Sequence, residues 1–159
     1  MKRSYFKNKR TPLKAKTGLK TKTKLKKKSI TEAAKLKREL MMITKKIIKA
    51  RDGNVCVTCG AVDLVGRNWH AGHFIRDSTG GVELRYHLDN LHSQCFRCNM
   101  ILDGNEAEYY IYMVGRYGQE FVDELFRVKN QDTSRWTEVN YRNQIKAYRL
   151  IAENEGIQL

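Results

Sequence analysis

Apolar residues first recur at helical intervals at Leu36, Leu40, Ile43 and Ile47, and the run stops at Asp52-Gly53. Steps of three and four residues put these side chains on one helix face, and a glycine just past the last of them is a stop signal. Ser29 followed by Glu32 supplies a capping box at the other end, so the pattern predicts a helix from about Thr31 to Arg51. Its opposite face carries Lys35, Arg38, Lys45, Lys46 and Lys49, and either a solvated face or a DNA-contacting one fits that pattern. Beyond Gly104 the spacing turns helical again and predicts helices over Glu106–Tyr117, Gln119–Val128 and, from a Thr137 cap, Glu138–Asn154. Tyr109, Tyr110, Tyr112, Met113 and Tyr117 would give a surface for stacking bases, although aromatics on a helix more often pack a core.

Between these helical stretches lies the chemistry. All four cysteines are here, as Cys56-Val57-Thr58-Cys59 and Cys95-Phe96-Arg97-Cys98, together with His70, His73, His87 and His92. Each cysteine pair is a knuckle that offers two thiolates to one tetrahedral ion, and zinc is the expected occupant. Two disulfides would need an oxidising compartment, but no apolar signal segment precedes the basic N-terminus. Four thiolates close the coordination shell, so this zinc is expected to be structural.

Charge changes the picture at one end only. The 159 residues, a length for one compact domain, hold 31 Lys and Arg against 17 Asp and Glu. Thirteen of those cations fall within residues 2–28, where there is no acid, which leaves 18 basic and 17 acidic groups elsewhere. The tail repeats a six-residue phrase, with Leu13, Leu19 and Leu25 each leading a lysine-rich run. Isolated leucines among repelling lysines bury too little apolar surface to offset ordering entropy, so the tail is predicted to be disordered when free. Nucleic-acid phosphate is its expected partner, bound without sequence preference; the alternative is a solubilising extension. Membrane attachment has no lipidation motif or large apolar face to support it.

The segment His70-Ala71-Gly72-His73-Phe74-Ile75, the run Asp89-Asn90-Leu91-His92-Ser93-Gln94 leading into Cys95, and Asn99 directly after Cys98 resemble the HNH nucleases. The likeness is closer to the NinG (Rap) recombination proteins of lambdoid phages. It rests on Cys56–Gly60, Trp69–His73, Asn90–Cys95, Gly104-Asn105, Gly118–Glu124 and Arg135-Trp136-Thr137, and spans about residues 52–152. It implies an α+β fold with a zinc-stapled ββα-metal finger at 54–105, preceded by the basic tail at 1–28 and a helix at 29–53, and followed by a helical region at 106–159. In that finger Trp69–Ile75 would be the first strand, Arg76–Gly81 the loop and Val82–Leu88 the second strand, with Cys98 and Asn99 opening a short helix.

The same resemblance implies a divalent-metal-dependent endonuclease of phage recombination that cuts branched DNA such as Holliday junctions or D-loops. Its alternatives are a general nicking or homing-type nuclease and a non-catalytic zinc-containing DNA-binding accessory protein. His73 would be the general base, Asn90 would orient it or hold the finger's backbone, and Asn99 would bind Mg²⁺ or Mn²⁺ through its carbonyl oxygen. Blander roles also fit: a core histidine, a turn asparagine after Asp89, and a helix cap. Many HNH proteins place Asp or His immediately before the base, where this chain has Gly72. His70 is the substitute candidate, with Asp103 and His92 as reserve ligands, and Arg76, Arg85 and Arg97 are candidate phosphate clamps. Symmetric cutting of a four-way junction would call for a homodimer, and reduced thiols with the phage resemblance suggest the host cytoplasm.

Overall fold

The computed structural model describes residues 30–131 and 135–159. The lysine repeats and Ser29 lie outside the described residues. Helix α1 spans Glu32–Asp52 and buries Leu36, Leu40, Ile43, Ile47 and Ile48. Its N-cap is Thr31, whose hydroxyl accepts the Ala34 N–H at 3.3 Å, rather than a box built on Ser29. Thr31 sits three residues before Ala34, where an N-cap oxygen meets the orphan amides of the first turn. At the other end Gly53 takes φ 66° and its N–H closes on the Lys49 carbonyl, which stops the helix.

Strands β1 (Trp69–His73) and β2 (Leu91–Cys95) form a two-stranded antiparallel sheet in which Gly72 faces His92 and His70 faces Gln94. The second strand is therefore not Val82–Leu88. That segment forms helix α2 (Gly81–Tyr86), followed by a 3-10 turn at Leu88–Asn90. The apolar alternation of Val82, Leu84 and Tyr86 reflects two separate cores rather than two sheet faces. Leu84 enters the core of Ile75, Tyr109, Met113, Val122 and Leu125, whereas Val82 and Tyr86 pack with α1. After β2 the chain makes a π-helical turn, Arg97–Ile101, in place of the expected short α-helix.

Three helices complete the molecule: α3 (Glu106–Tyr117), α4 (Gln119–Gln131, longer by three residues than the pattern suggests) and α5 (Glu138–Asn154). Tyr141, Ile145, Tyr148 and Ala152 of α5 join the apolar face of α1. Glu32 pairs with Arg142 and Glu39 with Arg149, so the two helices run in the same direction. Tyr109 and Met113 of α3 are buried, which commits them to packing rather than base stacking. The overall class is α+β, with the small sheet held between the α1–α5 pair and the α3–α4 pair.

Two devices fix the sheet where the site needs it. Arg51 donates to the carbonyls of Leu88 (3.0 Å) and Leu91 (2.6 Å), and Asp52 accepts the Ser93 N–H at 2.9 Å, so the end of α1 is clamped onto β2. On the other strand Trp69 Nε1 donates to Ser93 Oγ at 2.9 Å.

Candidate metal centre and histidine cleft

Cys56 and Cys59 come from the first knuckle, Cys95 from the end of β2 and Cys98 from the π-turn, and their four sulfur atoms lie within 4.8 Å of one another. Cys59 Sγ and Cys95 Sγ are 3.8 Å apart. Four sulfurs at about 2.3 Å around a tetrahedral zinc would be separated by about 3.8 Å, so the donor set and spacing fit that ion. Burial pushes the Cys56 thiol up, but the Thr58 hydroxyl and nearby backbone donors outweigh it and bring Cys56 down to about 6. Among the described residues, Leu64 joins Cys56, Cys95 and Cys98 in a small buried cluster with Ala61 and Trp69 packed against it, so a metal held by the four sulfurs would supply much of the local core.

On the other side of the π-turn, a cleft of about 440 Å³ is lined by His73, Asp77, Arg85, Asn99 and Asp103, among others. His73 ends β1, and its Nε2 lies 3.0 Å from the Arg85 carbonyl. A carbonyl only accepts, so Nε2 carries the proton and Nδ1 keeps its lone pair. No hydrogen bond from the described residues occupies that nitrogen. Burial depresses the His73 pKa, with Arg85 and Lys45 adding to the effect and the Arg85 carbonyl and Asp77 opposing it. The ring is thus held neutral at pH 7, with one free acceptor.

Asn90 is fully buried and holds backbone rather than the imidazole. Its Oδ1 accepts from Ile75 N at 2.7 Å, and its Nδ2 donates to the carbonyls of Ile75 (3.0 Å) and Leu84 (2.9 Å). It ties the segment after His73 to α2, the helix whose Arg85 carbonyl orients the histidine.

His70 and Asn99 meet. Asn99 Nδ2 lies 3.2 Å from His70 Nδ1, and His70 Nε2 lies 3.1 Å from the Arg67 carbonyl. Both imidazole nitrogens are thereby engaged. His92 is elsewhere: it is fully buried, with Nδ1 3.0 Å from the Tyr109 hydroxyl and Nε2 2.9 Å from that of Tyr117. A ring with both nitrogens occupied inside the α3 core is no reserve ligand. Asp103 lines the cleft but pairs with Arg76 at 2.7 Å, and the helical turn ends before it, so it does not share a helix face with Asn99. Among the described residues, the four cysteines are the only group of three or more His, Cys, Asp or Glu placed to hold a metal.

Two of the three candidate phosphate clamps are partnered as well. Arg76 spans Asp103 and Glu106, and Arg85 grips Asp77 with Nη2 2.8 Å from Oδ2. Arg97 is exposed on the π-turn.

The spacing of motifs did not point to Gln94, Tyr109, Asp77 or the Arg51–Asp52 clamp. Gln94 is fully buried beneath β1, and a β-carbon on Gly72 would lie 1.9 Å from Gln94 Oε1 and 2.9 Å from Asn99 Oδ1. The glycine is required while Gln94 occupies this space, since a β-carbon would clash with the Gln94 side chain. Tyr109 donates to the Gly72 carbonyl at 3.0 Å and so fixes the strand one residue before His73. Uncharged groups of this kind carry no motif signature; their role exists only in the packed sheet.

Fold and site together define an α+β protein in which a four-cysteine cluster able to hold a metal braces a two-stranded sheet carrying a half-buried neutral histidine. The chain matches the family model described as bacteriophage lambda NinG protein over residues 1–154, and it belongs to the NinG family. It is 34% identical over 101 residues to protein ninG of Escherichia phage lambda, an overlap covering 63% of this chain and 47% of that relative. Protein ninG of Escherichia phage 933W is also 34% identical over 101 residues, with 63% and 48% covered, and that of Salmonella phage P22 is 31% identical, with 63% and 47% covered. The chain spans about half the length of the curated relatives it matches. No solved structure matches it. No helix among the described residues is long and apolar enough to cross a membrane.

Proposed function

We propose that this protein is a divalent-metal-dependent DNA endonuclease of the HNH type, acting on branched DNA. The observation that carries the reading is His73: a neutral, half-buried imidazole with Nε2 tied to the Arg85 carbonyl and Nδ1 free, in a cleft shared with Asn99. Hydrolysis of a phosphodiester needs a base that is neutral at working pH and has an oriented lone pair, and this histidine has both. The Arg85 carbonyl favours the imidazolium formed after proton uptake, because it still accepts the Nε2 proton. Asn90 keeps the base in place by fixing the backbone on either side of the cleft.

Asn99 offers a carbonyl oxygen, the donor type a hard ion prefers, and its amide nitrogen is already turned to His70. A Mg²⁺ or Mn²⁺ ion there would stabilise charge developing on the phosphate and on the leaving oxygen.

A groove of about 700 Å³ beside α1 supports DNA as the substrate. Lys37, Arg38, Lys45, Lys46 and Lys49 line it, and it meets the histidine cleft at Asp77 and Arg85. Lys49 Nζ sits 5.6 Å above the Trp69 ring at its floor. Cations spaced along a helix suit a phosphate backbone, and they lead to the base. The branch preference rests on the family resemblance.

The test is cleavage of a labelled four-way junction beside its linear duplex, in Mg²⁺, Mn²⁺ or EDTA, by wild type and His73→Ala. The expected outcome is metal-dependent cutting of the junction that falls by at least about 10²-fold in the variant, while zinc content and DNA binding persist. Equal cutting of junction and duplex would replace the branch-specific reading with a general nuclease. A folded, zinc-loaded wild type that binds DNA and cuts neither substrate in any metal would make the protein a non-catalytic accessory factor.

A further inference from the structure

Gln94 has no use in the reading above, yet its amide is the most constrained polar group in the finger. Its Nε2 donates to the Gly104 carbonyl at 2.8 Å and lies 3.4 Å from Thr58 Oγ1. Both N–H groups are thereby spoken for, which fixes Oε1 on the side of Gly72. Among the described residues, that oxygen is the one buried side-chain polar atom without a hydrogen-bond partner. A buried acceptor left unpaired costs about 1–3 kcal/mol, so an unused oxygen here needs an explanation.

The orientation of Asn99 follows from a chain of hydrogen bonds. The Arg67 carbonyl can only accept, so His70 Nε2 carries the proton and Nδ1 accepts from Asn99 Nδ2. Asn99 Oδ1 is then turned the other way, towards Gly72, 2.9 Å from where a β-carbon would stand. Gln94 Oε1 approaches the same point to 1.9 Å. Two acceptor oxygens therefore converge on the point where a β-carbon at position 72 would stand, and among the described residues the Gln94 oxygen has no hydrogen-bond partner.

We propose that Gln94 Oε1 and Asn99 Oδ1 together form an oxygen site for a hard divalent cation, Mg²⁺ or Mn²⁺, with Gln94 reaching across the hairpin to supply the ligand that Gly72 cannot. His70 is then a positioning residue that sets the Asn99 amide, not a ligand. Water completes the shell, as is usual for an ion bound by few protein oxygens. The ion's use in catalysis rests on the cleavage reading above, but its binding does not. Such a site contains no carboxylate or imidazole, which explains why the described residues show no second cluster of His, Cys, Asp or Glu beside the cysteines.

The experiment titrates full-length, zinc-loaded protein with Mn²⁺, following free Mn²⁺ by its paramagnetic resonance signal and protein stability by thermal melting. Wild type should bind Mn²⁺, and Gln94→Met, similar in size but without the oxygen, should bind at least about tenfold more weakly with zinc content unchanged. Gln94→Glu should melt lower without Mn²⁺ and gain more from it than wild type does. The double variant G72D/Q94A returns a carboxylate to the same space and should recover the binding lost in Gln94→Met. Wild type that leaves the free Mn²⁺ signal unchanged, as it would if a water bridged the two oxygens, overturns the proposal. So does a Gln94→Met that binds like wild type or, should that variant not fold, a Gln94→Glu with no larger Mn²⁺-induced shift than wild type. Mn²⁺ binding that depends on Gln94, in a protein that cuts no DNA, upholds the site and overturns the cleavage reading instead.

Discussion

His92 shows how a single buried side chain ties the site to acid stability. The Tyr109 hydroxyl donates to the Gly72 carbonyl, so its lone pair receives the His92 Nδ1 proton, and Nε2 lies 2.9 Å from the Tyr117 hydroxyl, whose single proton it shares with Asp89 Oδ1 at 3.2 Å. Burial, and after it the nearby Arg51 charge, pull the His92 pKa from 6.5 down to about 3. Between those values the unfolded chain binds a proton that the native protein refuses, so unfolding free energy rises with pH across that window. The contribution is complete above pH 6.5 and is lost as pH falls towards 3. From pH 7 to pH 5 the loss should be about 2 kcal/mol, and the depressed pKa of His73 acts in the same direction. Urea denaturation at a series of pH values checks this: His92→Gln should flatten the slope between pH 7 and 5, and an unchanged slope would assign the acid sensitivity elsewhere. In the sequence His92 is one more metal-ligand candidate beside the knuckle. Only the packing of α3 across β2 distinguishes a ring that holds a strand from one that holds an ion.

Among the elements, long amphipathic helices were legible and the finger was only half so. Leu36, Leu40, Ile43 and Ile47 mark α1 because one core lies on one side of it, and α3 and α5 follow the same rule. Helix α2 has a core on each side, which gives it the two-residue period of a strand. Conversely, β2 (Leu-His-Ser-Gln-Cys) carries three polar residues and yet is buried at all five positions. Asp52, Trp69, Tyr109 and Gly104 meet those polar groups, Gln94 Oε1 excepted, and each of these partners lies ten or more residues away in sequence. The cysteine centre belongs to this scale too, since it joins the first knuckle, the end of β2 and the π-turn around one buried leucine. Chelating the metal should therefore melt these three elements while leaving the α1–α5 pair, whose core of Leu40, Ile43, Tyr141 and Ile145 contains no cysteine. Hydrogen exchange with and without a strong zinc chelator reads this directly. Amides over residues 54–105 should lose protection, and those of Leu40–Ile47 and Tyr141–Tyr148 should retain it. Global loss of protection would show that the metal holds the whole molecule together.

For the whole molecule, the arrangement of charge separates two ways in which DNA would be held on the proposed reading. The α1 groove presents a few fixed cations that lead to His73, whereas residues 2–28 carry thirteen cations and no acid on a segment whose sequence has no core to join. Fixed cations select a path for the strand; a string of lysines supplies affinity by releasing condensed counterions and does not distinguish one sequence from another. The two contributions differ in their salt dependence. If about 6 to 10 tail cations sit on phosphates, affinity should drop about 10³ to 10⁵-fold between 50 and 200 mM salt. Deleting residues 1–28 removes that part of the slope and leaves the groove, so the plot of log affinity against log salt should flatten. Binding of labelled duplex and four-way junction over a salt series, by full-length and truncated protein, makes the comparison. Flattening by the same amount on both DNAs is expected, because the phosphate density that a lysine-rich tail would meet is similar on each. Any junction preference that survives truncation then belongs to α1 and the finger. Should truncation leave the slope unchanged, the tail does not neutralise phosphates and serves as a solubilising extension.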